Sequence, residues 1–311
     1  MLAALLVVAV VATAALAEAV ARLLERRFQA YRFWHDQLTT GKWHQLRALR
    51  REPPVDVVLA GSSQMLTALD PTATPFRCYN AALYRAVPAV TAEWLRDEVL
   101  PAVRPRLVAW GVSILDLNDN GPFHAGIHER YTASPARRPG IRRFLITHSA
   151  LVRRGRSLLR KPPPDPTSAK PLAQLLGPMG KGLEYVGYTD YLLSDDKREF
   201  IETQIVADFA MGGRQVSALR AGVSAVRAAG ADVVLVEMPC TEEFALMYPH
   251  GWSDVEDARS LLEAVASDLG VAFVPAPDDL PLRWFTDCVH LNGVGMAEWT
   301  ERVGPILAER L

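Results

Sequence analysis

The sequence predicts an α/β protein, a three-layer α/β/α sandwich on a parallel sheet of about five strands. Two observations carry that prediction. Short apolar, β-branched runs lie at residues 55–60, 76–79, 107–112, 232–237 and 271–274, without the alternation of a half-exposed strand. Strands covered on both faces read this way. Helix-like stretches at 87–103, 198–229, 255–269 and 294–311 fall between and after these runs, and strand-then-helix order is the signature of parallel crossovers.

The chain has 311 residues, of which 50% are hydrophobic and 22% charged, enough to build one large α/β domain or two smaller ones. A net charge of −1 excludes a whole-molecule polyanion binder, so no nucleic-acid partner is expected. Three cysteines, Cys78, Cys240 and Cys288, make neither a disulfide framework nor a zinc pattern.

The elements run as follows. Met1 to Ala17 carries no charge, and apolar character resumes at Ala19 to Ala21 after Glu18. That is about the length of a bilayer-crossing helix, on the order of 20 residues. Ala15-Leu16-Ala17 resembles a signal-peptidase site, but the basic opening of a signal peptide is missing. The expectation is therefore an uncleaved transmembrane anchor over residues 1–24, with a signal sequence as the alternative. A juxtamembrane helix and linker follow over 25–54, where Tyr31, Trp34 and the arginines suit the headgroup level. Arg22, Arg26 and Arg27 after the apolar run would, by the positive-inside rule, put the body in the cytoplasm. A basic leader ahead of Met1 would reverse that rule, and the orientation adopted is a single-pass cell-membrane protein with an extracytoplasmic body.

Residues 55–311 form the α/β domain, interrupted by an insertion at about 121–195. The insertion holds the stretch KPPPDPTSAKP, too poor in apolar residues to pack, and a basic run from Ala136 to Lys161. That run is either a solvated face or a contact for anionic lipid or glycan.

Two motifs carry chemistry. The first strand ends in Gly61-Ser62-Ser63, which places a serine at the rim of a parallel sheet, where α/β proteins hold their ligands. A helix-capping serine is the plainer alternative. Near the other end, Asp287 and His290 stand three apart before the last helix. An aspartate there can accept Nδ1–H of the imidazole and leave Nε2 free to take a proton from serine.

The blocks VVLAGSSQM and DCVHLNGVGMAEWT resemble the SGNH (GDSL-like) hydrolase superfamily, in particular its membrane-anchored cell-envelope branch with Gly-Ser-Ser in the first block. The resemblance spans roughly residues 55–311 without the insertion. It implies a flavodoxin-like sheet, Ser63 as nucleophile, His290 as base and Asp287 as its orienting acid, with no metal or organic cofactor. Oxyanion donors would come from the backbone at Ser63 and Arg85 and from the Asn118 side chain. Asn80 matches the family's second block, but Arg85 stands near its glycine, and only the N–H survives that change. Ser113 lies at the spacing nearer to the family's third-block asparagine, which Asn118 or Asn120 reaches late.

Other residues read more simply. His124 and His128 have metal-binding spacing, but Gly121, Pro122 and Gly126 make a loop of that stretch. Cys288 reads as buried filler, Trp284 and Phe285 as packing. The function implied is a serine esterase or O-acyltransferase acting on ester groups, such as O-acetyl, of a cell-envelope glycan or lipid, with a membrane acyl-donor protein as a partner. The alternative is an envelope scaffold that keeps the fold without turnover.

Overall fold

The computed structural model describes residues 2–27, 34–121, 149, 172–188 and 190–311. His124, His128, most of the basic run and the proline-rich stretch lie outside these. The chain divides into two compact units, residues 1–37 with 130–172, and residues 38–129 with 173–311.

In the first unit, helix α1 (Leu2–Arg27) is continuous over 26 residues. Among the described residues no helix is long and apolar enough to cross a membrane. The anchor expected over residues 1–24 is therefore not found there; the side chains of residues 1–8, which carry much of its apolar length, lie outside the described ones.

The second unit is the α/β body. Its strands are β1 (Val57–Ala60), β2 (Cys78–Asn80), β3 (Leu107–Val112), β4 (Asp232–Glu237) and β5 (Ala272–Val274). They form one parallel sheet in the order β2-β1-β3-β4-β5. Every residue of β1, β2 and β3 is buried, as is all of β4 except Asp232, which accounts for their unbroken apolar runs. The chain leaves β1 for β2 on one side and returns to β3 on the other. This reversal makes a topological switch point at the C-terminal ends of β1 and β3, the usual ligand position in such sheets.

Parallel neighbours need crossover connections, and helices supply them here. Helix α2 (Trp34–Leu49) leads into the sheet, and α3 (Ser63–Ala68) follows β1. From residue 38 onward α2 belongs to this unit, with Leu38, Leu46 and Leu49 buried, rather than serving as a linker. Helix α4 (Pro88–Trp94) continues through a π-helical turn (Leu95–Val99) into α5 (Leu100–Val103). Pro101 has no N–H to return to the ladder, and the helix loosens just ahead of it.

The helix expected over 198–229 is two helices. Helix α6 (Asp195–Phe200) runs into a π-turn (Ile201–Ile205), and α7 (Arg214–Ala228) starts afresh. Between them Asp208 and Gly212 take positive φ. The Asp119 carboxylate, from the loop after β3, accepts Gly213 N–H and Gln215 N–H, both at 2.7 Å, and so caps α7. Helix α8 (Trp252–Leu269) precedes β5, and α9 (Gly293–Ala308) closes the chain. Helix α7 packs on α4 and α8, while α9 packs on α3.

One buried cation was not foreseen. Lys42 of α2 has no exposed surface, and its ammonium donates to Asn80 O at 2.5 Å and Asn80 Oδ1 at 3.4 Å. Burial holds its pKa well below the ordinary lysine value. Asn80 is thereby tied down, because its amide also donates to Met65 O and Leu66 O at 3.2 and 3.3 Å. The second-block asparagine thus spends its side chain on locking α3 against the end of β2.

Candidate active site

Ser63 opens α3 directly after β1, with Gly61 at φ +138° making the turn. A Cβ on Gly61 would lie 2.5 Å from Gly111 O, so only glycine lets β1 pass this close to β3. From the other end of the chain, the loop between β5 and α9 delivers Asp287 and His290. That loop is pinned by Asn292, whose Oδ1 accepts Val294 and Gly295 N–H at 3.0 Å and whose amide donates to Arg283 O and Phe285 O at 2.8 and 3.3 Å.

These elements place three side chains in line. The Ser63 Oγ lies 2.8 Å from His290 Nε2, and His290 Nδ1 lies 2.9 Å from both Asp287 oxygens. With Nδ1–H donating to the carboxylate, Nε2 accepts the serine proton. Asp287 Oδ1 also accepts the N–H of Val289 at 3.0 Å and of His290 at 2.9 Å, so the acid curls beneath its own loop. Its side chain is 2% exposed, and Lys197 Nζ reaches Oδ2 at 2.5 Å. Burial pushes the Asp287 carboxyl up, but His290 and Lys197 outweigh it and hold the group below the usual carboxylate range.

The oxyanion side departs from expectation in two places. Arg85 takes φ +61°, the left-handed conformation that the family glycine would supply. A non-glycine residue there costs on the order of 1 kcal/mol, yet the backbone shape survives the exchange. Asn118, expected to offer its amide to the oxyanion, instead donates to Ile205 O at 2.7 Å and accepts Asn120 and Ala210 N–H at 3.0 and 3.3 Å. It is 1% exposed and joins the loop after β3 to the segment before α7. An amide committed to three backbone partners serves the fold. The rest of the expected donor set is the backbone N–H groups at Ser63 and Arg85.

Ser62, the neighbouring hydroxyl, bonds outside the triad. Its hydroxyl donates to Asp116 Oδ2 at 3.3 Å, where Ser113 N–H and Oγ also bond at 2.9 and 3.1 Å. Asp116 is 2% exposed, and burial pushes its carboxyl up to about 7. A carboxylic group therefore stands against Ser62, next to Ser63 in the chain, and is supplied by the loop after β3.

No protein-family model matches the chain, and no curated protein matches it either. Solved structures do match. One, from Streptococcus pneumonia and provisionally described as a platelet activating factor, is 12% identical with a TM-score of 0.49, over 93% of this chain and 98% of that one. Another, from Bacteroides fragilis and provisionally described as an acylhydrolase, is 11% identical with a TM-score of 0.44, over 86% of this chain and 95% of that one.

The remaining residues fall into place. Cys78, Cys240 and Cys288 are all free thiols. Cys288 is fully buried and its thiol is pushed up to about 12 by desolvation, so it is inert beside the triad. Trp284 and Phe285 are buried packing residues. A cavity of about 570 Å³ opens beside the loop after β4, lined by Cys240, Thr241, Glu243, Trp252 and Arg259, and no triad residue lines it. Lys197, Tyr185 and Asp116 are the site residues that sequence reasoning missed. None sits in a local motif, and Lys197 is separated from Asp287 by 90 positions.

Proposed function

We propose that this protein is a serine-dependent esterase or O-acyltransferase that works through an acyl-serine. The continuous Ser63–His290–Asp287 hydrogen-bond chain at the sheet's switch point carries the reading. Ser63 Oγ attacks the ester carbonyl while its proton passes to His290 Nε2. Backbone N–H groups at Ser63 and Arg85 hold the oxyanion as the carbonyl carbon becomes tetrahedral. The C–O bond to the leaving alcohol then breaks, and His290 returns the proton to that oxygen. Water, or a sugar hydroxyl, gives its proton to His290 and attacks the acyl carbon; the bond from that carbon to Ser63 Oγ then breaks, and His290 returns the proton to Oγ.

The expected result is a pre-steady-state burst of phenol from a short-chain aryl ester, with a mass increase of one acyl group on the peptide carrying Ser63. Absence of any acyl adduct with a panel of small esters would favour the scaffold reading, which draws its support from the commitment of Asn118 to the fold.

An acylated envelope glycan or lipid is the proposed substrate, with the body held at the membrane by the N-terminal helix. The support is the uncharged run from Met1 to Ala17, which lies within the continuous α1 apart from Met1. Full-length protein should pellet with membranes and resist carbonate extraction, whereas recovery in the carbonate supernatant rules the anchor out.

A further inference from the structure

The segment leading into α6 lies against the loop that carries the catalytic acid and base. The Tyr185 ring stacks on His290 with centroids 4.9 Å apart and planes 38° from parallel. Val186 O comes within 2.4 Å of where a Cβ on Gly293 would stand, so the two backbones touch. Leu192 N–H donates to Thr286 O at 2.9 Å. Tyr191 and Arg198 both bond the Glu243 carboxylate, which fixes the start of α6 beside the loop after β4. The element so anchored presents Lys197 to Asp287.

We propose that Lys197 is a positioning residue of the triad, a cation that fixes the Asp287 carboxylate and, through it, the His290 ring. This rests on the esterase reading above. Asp287 Oδ1 is occupied by the imidazole and two loop N–H groups, while Oδ2 is shared between His290 Nδ1 and the Lys197 ammonium. Without the ammonium, a carboxylate 2% exposed would face its desolvation with only a neutral imidazole and backbone N–H groups as partners.

The other titratable groups around the pair do not supply this charge. Tyr185 covers the imidazole face, and Tyr191 and Cys288 stand beside the carboxylate, with burial the largest cause raising each of their pKa values. Glu184, Tyr188 and Arg85 act on Tyr185, and Arg198 acts on Tyr191, one layer further out. Lys197 is the cation in direct contact.

The test compares Lys197→Met and Lys197→Arg with the wild type in the full-length chain. With a short-chain aryl ester, Lys197→Met should lose about 10- to 100-fold in kcat with KM little changed, as expected when a transition-state contribution goes. Lys197→Arg should keep wild-type kcat within about threefold, because it restores the charge. The low-field proton resonance of the His290 Nδ1–H bond, read by NMR, should shift in Lys197→Met and stay in place in Lys197→Arg. A folded Lys197→Met with wild-type kcat and the wild-type resonance overturns the proposal. If Lys197→Met does not fold, Lys197→Gln carries the same comparison. If the wild type turns over no ester, the esterase reading fails, and the NMR comparison alone decides the role of Lys197.

Discussion

Ser63→Ala removes acylation: the burst disappears, no peptide gains acyl mass, and turnover of an aryl ester falls by about three orders of magnitude or more. The hydroxyl lies 2.8 Å from His290 Nε2, the partner that takes its proton in the proposed mechanism. His290→Ala should fall to the same floor, and the double variant should fall no further, because the two act as one unit. Asp287→Asn should retain more activity than either, since the two loop N–H groups and Tyr185 still hold the ring near its place. Ser62→Ala separates the two adjacent hydroxyls. Its Oγ donates to Asp116 and not to the triad, so the loss should be about 1 kcal/mol of stability with kcat nearly intact. The assay is burst amplitude with mass mapping of the labelled peptide. Wild-type acylation in Ser63→Ala would assign the nucleophile elsewhere.

Gly61→Ala should be strongly destabilising, by about 3 kcal/mol or more in urea unfolding. Two effects add there. Gly61 sits at φ +138°, a region that L side chains rarely adopt, and its Cβ would press to 2.5 Å from Gly111 O. The obstacle is the backbone of β3, which cannot move without breaking the sheet. Gly187→Ala is the control, because nothing lies within 4 Å of its Cβ position, and it should cost a few tenths of a kcal/mol. Folded Gly61→Ala molecules should also acylate slowly, since Ser63 follows the turn that the methyl disturbs. Equal midpoints for the two variants would show that β1 and β3 are not held as closely as described.

Much of the fold was legible because burial leaves a local mark. The strand runs at 107–112 and 232–237 coincide with β3 and β4, and the other three lie within two residues of β1, β2 and β5. The helix expected at 198–229 failed where a distant group intervened. Its pattern continues across Gly212 and Gly213, and only Asp119, from another loop, marks where α7 starts. Arg85 misled for a related reason. A residue type that avoids positive φ was forced into it by the surrounding loop.

The sequence by itself determined the alternation of strands and helices, the serine at the end of β1, and an aspartate three positions before a histidine. All of these are short-range patterns, set by which faces are buried and by how a side chain can curl onto its own loop. The tertiary structure decided the strand order β2-β1-β3-β4-β5, and with it the switch point beside which Ser63 stands. It also decided that Ser63 meets His290 across 227 positions, that Asn118 serves the fold, and that Lys197 meets Asp287 across 90. Those pairings depend on how sheet and loops close on one another, and contacts made only by that closure leave no period or spacing in the chain to read.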